Sequence, residues 1–190
     1  MRLIVIEYVS VDGVIQAPGH AQEDTADGFE HGGWTSPFMG EHGRYMTEAL
    51  NVMGALLLGR RTYEIWAGYW PTVTDPADDI AKMLNAVPKY VASSTLASGP
   101  WPQTTVIADV AAQVGALKQQ PGKAIVVMGS SELAQSLMQE DLVDEYRLMI
   151  HPVVLGAGKH LFGRGPMREL RLVEAAATTS GLATLTYRPA

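Results

Sequence analysis

The amino-acid sequence predicts an α/β fold with a mostly parallel, doubly wound mixed sheet, helices on both faces and a C-terminal antiparallel hairpin. Short apolar runs recur along the chain without strict polar alternation, which is typical of strands covered on both faces. Helical patterns lie between these runs, and that order favours parallel strands. Two late apolar runs are joined by a polar turn, which favours an antiparallel pair.

The predicted strands of the central sheet are too short for helices and rich in Val, Ile and Leu. They span residues 3–9, 55–58, 89–92, 105–107, 124–128 and 146–154. The helical patterns between them span residues 38–53, 62–66, 77–85, 110–119 and 132–140, the third with Asp78 and Asp79 in its first turn. The hairpin consists of residues 170–176 and 182–187, with Thr178, Thr179, Ser180 and Gly181 between them.

Length and composition restrict the functional class. A chain of 190 residues fits one domain over residues 1–190, and the absence of cysteine excludes a disulfide framework, a thiolate zinc site and a cysteine nucleophile. The N-terminal apolar run is broken by Glu7 and lacks the form of a signal peptide, so we expect a cytoplasmic protein. A net charge of -6 argues against nucleic acid, and no run approaches membrane-spanning length. We therefore expect a small-molecule ligand.

The first candidate ligand-binding segment follows the second predicted strand. Gly59 precedes Arg60, Arg61 and Thr62, and a helical pattern begins there. Glycine permits close backbone approach, a helix N-terminus offers free N–H groups to an anion, and forked arginine donors suit phosphate oxygens. A solvated arginine pair after a turn is the alternative interpretation. Because adjacent helix positions do not share a face, we expect one arginine at a given phosphate.

Two further predicted strands end in small polar residues. Hydroxyl groups at such an end can bind a ribose or its phosphate, and a glycine before a helix can form a backbone cradle for a pyrophosphate. A serine-rich turn is the alternative for the first of these segments. Three such ends in one sheet predict a ligand with several phosphates and a ribose. The residues are Ser93, Ser94 and Thr95 in one segment and Gly129, Ser130 and Ser131 in the other.

Two acidic residues near the first strand end are candidates for proton transfer. Glu7 lies in an apolar strand, where an unpaired carboxylate is costly, so it either has a partner or faces the ligand. Asp12 could hydrogen-bond a substrate or support proton delivery. An Asp-Gly turn formed with Gly13 is the alternative role for Asp12.

The segment of residues 16–37 is rich in Gly, Asp, Glu and His and is the expected substrate side. Glu30, His31 and Trp34 supply an acid, an imidazole and an indole, which could form a polar pocket with a stacking wall. A mobile surface loop is equally compatible with a segment of this length. The histidines lack metal-ligand spacing, so no metal is proposed.

The order of these motifs resembles the dihydrofolate-reductase-like superfamily, in the branch of the reductase domain of the bifunctional riboflavin-biosynthesis deaminase-reductase. The resemblance covers nearly the whole chain. Its most specific part is LVDEYRL at residues 142–148, continued by HPVVLGAG at residues 151–158. The other matching motifs are SVDGVI at residues 10–15, LGRRTY at residues 58–63 and GSSEL at residues 129–133.

This resemblance implies an NADPH-dependent reductase in a single dihydrofolate-reductase-like domain. The Gly59 and Ser93 segments would take the 2'-phosphate and adenosine side. The Gly129 segment, with Glu132 and Leu133, would take the pyrophosphate, and the loop of Asp12 and Ile15 would cover the nicotinamide. An arginine pair favours NADP over NAD, since a carboxylate is expected opposite a free ribose hydroxyl. A homodimer is also implied.

The implied substrate is a small heteroaromatic or ribosylated molecule, similar to the 5-amino-6-(5-phosphoribosylamino)uracil of riboflavin biosynthesis. Folate reductases place a carboxylate at the start of the helix that follows Trp-x-x-Pro; here the nearest acid after Trp34 and Pro37 is Glu41. The zinc deaminase half is excluded because its signature needs cysteine. The alternatives are a non-catalytic nucleotide-binding or oligomer-forming member of the fold, or a dihydrofolate reductase with an altered proton-donor site.

Overall fold

The computed structural model describes the backbone of residues 1–190 and every side chain except those of residues 39, 41 and 42. The strands are β1 (Leu3–Ser10), β2 (Met53–Gly59), β3 (Lys89–Ala92), β4 (Thr104–Ile107), β5 (Ala124–Val127), β6 (Glu145–His151), β7 (Leu170–Ala177) and β8 (Ala183–Pro189). The helices are α1 (Met39–Leu50), α2 (Arg60–Ala67), α3 (Asp79–Ala86), α4 (Val110–Lys118) and α5 (Ser131–Gln139). Short 3-10 helices span Ala26–Gly28, Ser36–Phe38 and Trp70–Thr72.

All eight strands form one sheet in the order β4-β3-β2-β5-β1-β6-β8-β7. The strands from β4 to β6 in this order are parallel, and β8 pairs antiparallel with both β6 and β7. The parallel part and the C-terminal hairpin confirm the predicted fold class. Because β1 lies in the middle of the parallel part, its carboxyl end opens beside those of β5 and β2.

The sheet is covered on both faces, which explains why its central strands are continuously apolar. On one face α4 and α5 bury side chains such as Val114 and Leu137 against alternate residues of β1, β2 and β5. On the other face α1, α2 and α3 bury side chains such as Met46, Tyr63 and Leu84. Two cores therefore fix the helices whose first turns meet at the carboxyl ends of the strands.

Several predicted boundaries differ from the observed ones for identifiable reasons. The predicted helix at 38–53 ends at Leu50, because Met53 already belongs to β2. The helix predicted from Thr62 begins at Arg60, so both arginines stand in its first turn. Asp78 is the N-cap of α3 rather than a first-turn residue, and its carboxylate accepts from the N–H of Ala81 at 2.8 Å.

The C-terminal half ends in an edge strand. The strand predicted to reach residue 154 stops at His151, since Pro152 has no N–H for the ladder. The turn at residues 178–181 is closed by a hydrogen bond from the N–H of Thr178 to the carbonyl of Leu182 at 2.9 Å. Along the edge strand β7, Leu172 and Val173 are exposed. A homodimer that covers this edge stays a prediction.

The segment of residues 16–37 packs on a small core of its own. Val14, Phe29 and Trp34 are buried together, and the indole N–H of Trp34 donates to the carbonyl of Gln16 at 2.8 Å. This packing places one part of the segment against the end of the sheet. Among the helices of the described chain, none is both long and apolar enough to cross a bilayer.

Candidate functional site

A cleft of about 800 Å³ opens at the carboxyl ends of β1, β2, β3 and β5. Its volume lies within the range of about 300–1,000 Å³ that is common for ligand pockets. The structure brings together in it all thirteen residues that the sequence predicted for cofactor binding. They are Ile15, Gly59, Arg60, Arg61, Thr62, Ser93, Ser94, Thr95, Gly129, Ser130, Ser131, Glu132 and Leu133.

The second and third strand ends contact each other through Ser130. The backbone N–H of Gly59 donates to Ser130 Oγ at 2.9 Å, and this hydroxyl donates to Thr62 Oγ1 at 2.9 Å. Gly129 has a φ of +59°, and a Cβ there would lie 3.1 Å from Thr62 Cγ2. Glycine is favoured at this position, because a side chain would strain the left-handed backbone and press on Thr62.

The cleft is flanked by the first turns of α2 and α5. The N-cap residues of these helices are Gly59 and Ser130, and within the described chain neither helix has a side-chain cap hydrogen bond. Their first N–H groups therefore lack the side-chain partner that usually satisfies them. Two such helix starts supply the cleft with partial positive charges and N–H donors, which are suited to phosphate groups.

The two arginines have weak partners in the protein. Arg60 Nη1 lies 3.6 Å from Glu64 Oε1, and Arg61 Nη1 lies 3.7 Å from Asp24 Oδ1. Both guanidinium groups are more than half exposed. Exposed pairs of this kind contribute about 0–1 kcal/mol, so an anionic ligand can recruit either guanidinium group at little cost.

The Ser93 segment forms the predicted serine turn and also lines the cleft. Ser93 Oγ accepts from the N–H groups of Thr95 and Leu96 at 3.2 and 3.0 Å, which is the serine turn chemistry. The same segment lines the cleft beside α2. The turn therefore holds the hydroxyl groups of Ser94 and Thr95 at the cleft wall, on the side of Arg60 and Arg61.

An ion pair joins the 16–37 segment to the loop after β6. Asp24 Oδ2 accepts from Lys159 Nζ at 2.6 Å, and the Lys159 N–H donates to Gln16 Oε1 at 2.9 Å. Burial acts to raise the pKa of Asp24, but the hydrogen bond and charge of Lys159 outweigh it and the pKa is lowered. These residues form one wall of the cleft opposite α2, with Arg61 reaching toward Asp24.

Glu7 lies at the floor of the cleft and is 4% exposed. Its Oε1 has no hydrogen-bond partner among the residues that the structure describes. Burial raises the pKa of Glu7 well above its ordinary value; the N–H of Gly129 opposes this effect, and the negative charge of Glu23 adds to it. The sequence predicted that Glu7 either has a polar partner or faces the ligand, and in the structure its carboxyl group lines the cleft.

Asp12 holds the backbone after β6 instead of lining the described cleft. Its carboxylate accepts from Ser10 Oγ at 2.6 Å, from the N–H of Gly156 at 2.7 Å and from the N–H of Leu155 at 3.2 Å. The Ser10 hydroxyl contributes most to lowering the pKa of Asp12 to about 2, and the Gly156 N–H comes next. A carboxylate so strongly ionised is a poor proton donor, so the geometry favours the turn role over the catalytic one.

The predicted substrate residues are not brought together in the cleft. Trp34 is buried in the small core of the 16–37 segment, where it packs 5.1 Å from the His151 ring. Glu30 and His31 are exposed beside that core, and His31 packs edge-on against Phe29. The side chain of Glu41 lies outside the described residues. Substrate contact by these residues stays a prediction.

Several residues of the cleft escaped the sequence analysis. Tyr8 follows Glu7 on β1, and burial raises the pKa of its hydroxyl. Trp66 and Trp70 line the cleft while also packing against the core on the α2 face of the sheet. The remaining residues are Gln16, Glu23, Asp24 and Lys159. Three of them had a local signal in the sequence, since Glu23 and Asp24 form an acidic pair in the 16–37 segment and Lys159 follows the Gly156–Gly158 turn.

In the described part of the chain, no cluster of three or more acidic or histidine side chains could hold a metal ion. The polar groups at the helix starts are instead N–H donors, hydroxyls and guanidinium groups, while Glu23, Asp24 and Lys159 line one wall and Glu7 is the buried acid at the floor. Such a set is suited to phosphates and a ribose at the helix starts and to proton transfer near Glu7.

Two comparisons describe what this chain is similar to in sequence. It matches the family described as the RibD C-terminal domain over residues 2–184. It is 34% identical over 144 residues to the uncharacterized protein YyaP of Bacillus subtilis (strain 168), which covers 74% of this chain and 77% of YyaP. The family match therefore includes every element that forms the cleft.

Solved structures share the fold. A putative riboflavin biosynthesis protein from Shewanella sp. PV-4 superposes with a TM-score of 0.70 and 18% identity, covering 100% of this chain and 99% of that chain. Dihydrofolate reductase from Enterococcus faecalis, complexed with NADP(H) and RAB-propyl, gives 0.59 and 14%, covering 99% and 96%. The fold is thus dihydrofolate-reductase-like, and the chain belongs to the RibD C-terminal domain family.

Proposed function

We propose that this protein is an NADPH-dependent reductase of a small heteroaromatic or ribosylated substrate. The observation that carries the proposal is the cleft itself, where three strand ends and two uncapped helix starts meet around a buried acid. Family membership supports the reductase class, and the Enterococcus dihydrofolate reductase of the same fold is complexed with NADP(H).

The residues of the cleft fit the chemical groups of the cofactor. The N–H groups at the start of α5, after Gly129, would hold the pyrophosphate. Arg60 or Arg61 and the hydroxyls of the Ser93 segment would hold the 2'-phosphate and ribose. Ile15 and the strand end of Glu7 would border the nicotinamide. The bound cofactor would supply a hydride, and the protein would orient the substrate and exclude water.

The remaining part of the cleft supports the proposed substrate class. Beyond the helix starts its walls include Tyr8, Trp66 and Trp70, which offer flat aromatic surfaces. A planar ring such as a pyrimidine can stack there, and a ribosyl chain can extend toward the polar wall of Asp24 and Lys159. The 5-amino-6-(5-phosphoribosylamino)uracil of riboflavin biosynthesis has both parts and is the first substrate to test.

The direct test is titration of the protein with NADPH and with NADH. Binding is expected to quench tryptophan fluorescence, since Trp66 and Trp70 line the cleft, and to raise the melting temperature by mass action. NADPH is expected to bind more tightly than NADH. If neither cofactor changes fluorescence or melting temperature at millimolar concentration, the reductase proposal fails.

Replacing Arg60 and Arg61 with alanine is expected to weaken NADPH binding by at least about tenfold, the loss of one charge-assisted hydrogen bond. NADH binding is expected to change by less than about threefold, because NADH lacks the phosphate that the arginines would read. Isothermal titration calorimetry measures both.

A double variant with Arg164→Ala and Arg171→Ala is the matched control for net charge, since both residues are exposed outside the cleft. It is expected to bind NADPH like the unmodified protein. Equal weakening of NADPH and NADH by the Arg60 and Arg61 replacements would contradict a role in reading the 2'-phosphate.

A further inference from the structure

Glu7 is a buried acid at the centre of the parallel sheet, on the strand whose end opens into the cleft. Its neighbours in sequence, Ile6 and Tyr8, belong to the opposite face of β1. The alternate residues Val5 and Val9 belong to the core under α5. A hydrophobic residue would satisfy this position in a purely structural strand, so the carboxyl group requires another explanation.

The groups that face Glu7 leave it without a cation. From the turn after β5 the Gly129 N–H acts to lower the pKa of Glu7, and from the 16–37 segment the negative charge of Glu23 acts to raise it. Tyr8 on β1 is partly buried, and burial, followed by the charge of Glu7, raises the pKa of its hydroxyl. The cleft cations Lys159 and Arg61 face Asp24, which accepts from Lys159 at 2.6 Å and lies 3.7 Å from Arg61.

A carboxyl group in these surroundings is more stable with its proton than without it. Desolvation disfavours the ionised form, and Glu23 adds repulsion. Glu23 has polar partners of its own, because its Oε2 accepts from the N–H groups of Gly19 and His20 at 2.7 and 3.3 Å. Glu23 is therefore fixed at the cleft wall, where it keeps its effect on Glu7.

We propose that Glu7 is the proton donor of the cleft, a neutral carboxylic acid whose Oε1 gives a proton to the heteroatom of a carbon–nitrogen or carbon–oxygen double bond. The proposal rests on the reductase function proposed above. Oε1 is the oxygen that lacks a partner among the described residues, so a substrate atom would complete its hydrogen bonding. A neutral acid can make that bond as a donor, which an ionised carboxylate cannot.

The chemistry balances with the proposed cofactor as reductant. The hydride and its electron pair add to the carbon of the double bond, while the π electrons move to the heteroatom and take the proton from Glu7. The substrate becomes an amine or an alcohol, the cofactor is oxidised, and Glu7 is left as a carboxylate. Glu7 regains a proton from solvent through the open cleft, and the unfavourable ionised state favours that return.

This assignment narrows the substrate to a neutral imine or carbonyl compound. The heteroatom of such a double bond becomes more basic as the hydride adds to the carbon. An acid beside the heteroatom therefore accelerates the reaction, typically by about 10²–10⁴-fold. A substrate that already carries a fixed positive charge on its heteroatom would not need Glu7. The open-chain imine form of a ribosylated amine meets the requirement.

The first test measures the protonation state of Glu7 without any turnover. Infrared spectra of the protein at neutral pH are expected to show the carbonyl stretch of a protonated carboxylic acid. The band is expected to shift when glutamate is labelled with carbon-13 and to disappear in Glu7→Gln. Glu48→Gln, which removes an exposed carboxylate, is the control and is expected to leave the band in place. Absence of the band, or its persistence in Glu7→Gln, overturns the proposal.

The second test compares binding with turnover. Glu7→Gln is expected to bind NADPH within about threefold of the unmodified protein while turnover of 5-amino-6-(5-phosphoribosylamino)uracil falls by at least about 100-fold. Glu7→Asp keeps an acid and is expected to retain more turnover than Glu7→Gln. Turnover of the unmodified protein is expected to decline as the pH rises through the raised pKa of Glu7, and the remaining rate of Glu7→Gln is expected to lack this decline.

The outcomes separate this proposal from the proposed function. Unchanged turnover in Glu7→Gln overturns the role of Glu7 and leaves the reductase intact. Failure of the unmodified protein to bind NADPH overturns the reductase, and the infrared band still reports whether Glu7 is neutral. If Glu7→Gln does not fold, the carbon-13 shift in the unmodified protein and the Glu7→Asp variant carry the test.

Discussion

Glu7 and Glu145 are both buried in the sheet, on the neighbouring strands β1 and β6, yet their surroundings are opposite. Glu145 accepts from Arg2 at 2.7 Å, from Arg147 at 2.8 Å and from Arg188 at 2.9 Å. Glu7 has the Gly129 N–H and a neighbouring glutamate instead. One carboxyl group is fully paired, and the other is left open to the cleft.

The electrostatic consequence is a pair of opposite pKa shifts. Burial acts to raise the pKa of Glu145, but the hydrogen bonds from Arg188 and Arg147 and the charges of Arg147 and Arg2 outweigh it, and the pKa is lowered. Burial dominates at Glu7 and raises its pKa. Burial of an acid therefore indicates function only where the protein withholds the partners that would satisfy it.

The helix starts repeat this contrast. Asp78 and Asp109 cap α3 and α4, accepting from the N–H groups of Ala81 and Ala112 at 2.8 and 3.0 Å. Within the described residues, no side chain caps the start of α2 or of α5, and both helix starts line the cleft. The same chain thus satisfies helix ends for stability in one region and leaves them available to a ligand in the other.

Glu145→Gln is expected to produce the largest effect on stability. Removing the charge leaves three partly exposed guanidinium groups around a neutral amide, and the loss of such charge-assisted hydrogen bonds costs about 2 kcal/mol. Urea unfolding at neutral pH measures the loss. Glu7→Gln is the matched control and is expected to change the free energy of unfolding by less than about 1 kcal/mol, because one neutral polar group replaces another. Equal losses would break the comparison.

The pH dependence of stability sharpens the same comparison with opposite signs. The contribution of Glu145, whose pKa is lowered on folding, is present above the ordinary glutamate value of 4.5 and is lost as the pH falls through its folded pKa. The raised pKa of Glu7 has the reverse effect, because the folded state holds a proton that the unfolded state releases. Stability therefore decreases through Glu7 as the pH rises from 4.5 toward its folded pKa.

Unfolding curves of both glutamine variants between about pH 3 and about pH 8 measure these contributions. The deficit of Glu145→Gln relative to the unmodified protein is expected to shrink toward low pH. The stability of Glu7→Gln is expected to improve relative to the unmodified protein toward high pH. Parallel profiles for the two variants would show that the surroundings of the two acids do not differ as described.

The fold could be predicted from the sequence because its signals are local. A run such as residues 124–128 is apolar throughout, since β5 is covered on both faces, and the Gly129 turn and α5 follow it directly. Ten of the thirteen cofactor-cleft residues were predicted for the same reason, because they follow strand ends and parallel strands bring their ends to one edge. Ile15, Glu132 and Leu133 were predicted only from the family resemblance.

The rest of the site depends on contacts that are distant in sequence. Asp12 and Glu7 gave similar local signals, but the Gly156 N–H that binds the Asp12 carboxylate is 144 residues away. The pair of Lys159 and Asp24 is separated by 135 residues, and the pattern around neither residue specifies the other. Trp34 gave the signal of a stacking wall, and only the packing of the 16–37 segment shows that it is a core residue.

Gly59→Asp is expected to change stability least and to test the helix-start comparison most directly. Gly59 has φ −71° and ψ 155°, an extended N-cap conformation that aspartate adopts readily, and its Cβ would lie 3.3 Å from Ser130 Oγ. Replacing glycine by a capping residue is worth only a few tenths of a kcal/mol, so the melting temperature should hardly move. The new carboxylate would occupy the N–H groups of α2 and repel phosphate, so NADPH binding is expected to weaken by at least about tenfold.

Gly59→Asn is the control, because it adds a cap of the same size without charge. It is expected to weaken NADPH binding much less, as measured by calorimetry. Equal affinities of the two variants for NADPH would show that the start of α2 does not hold an anion.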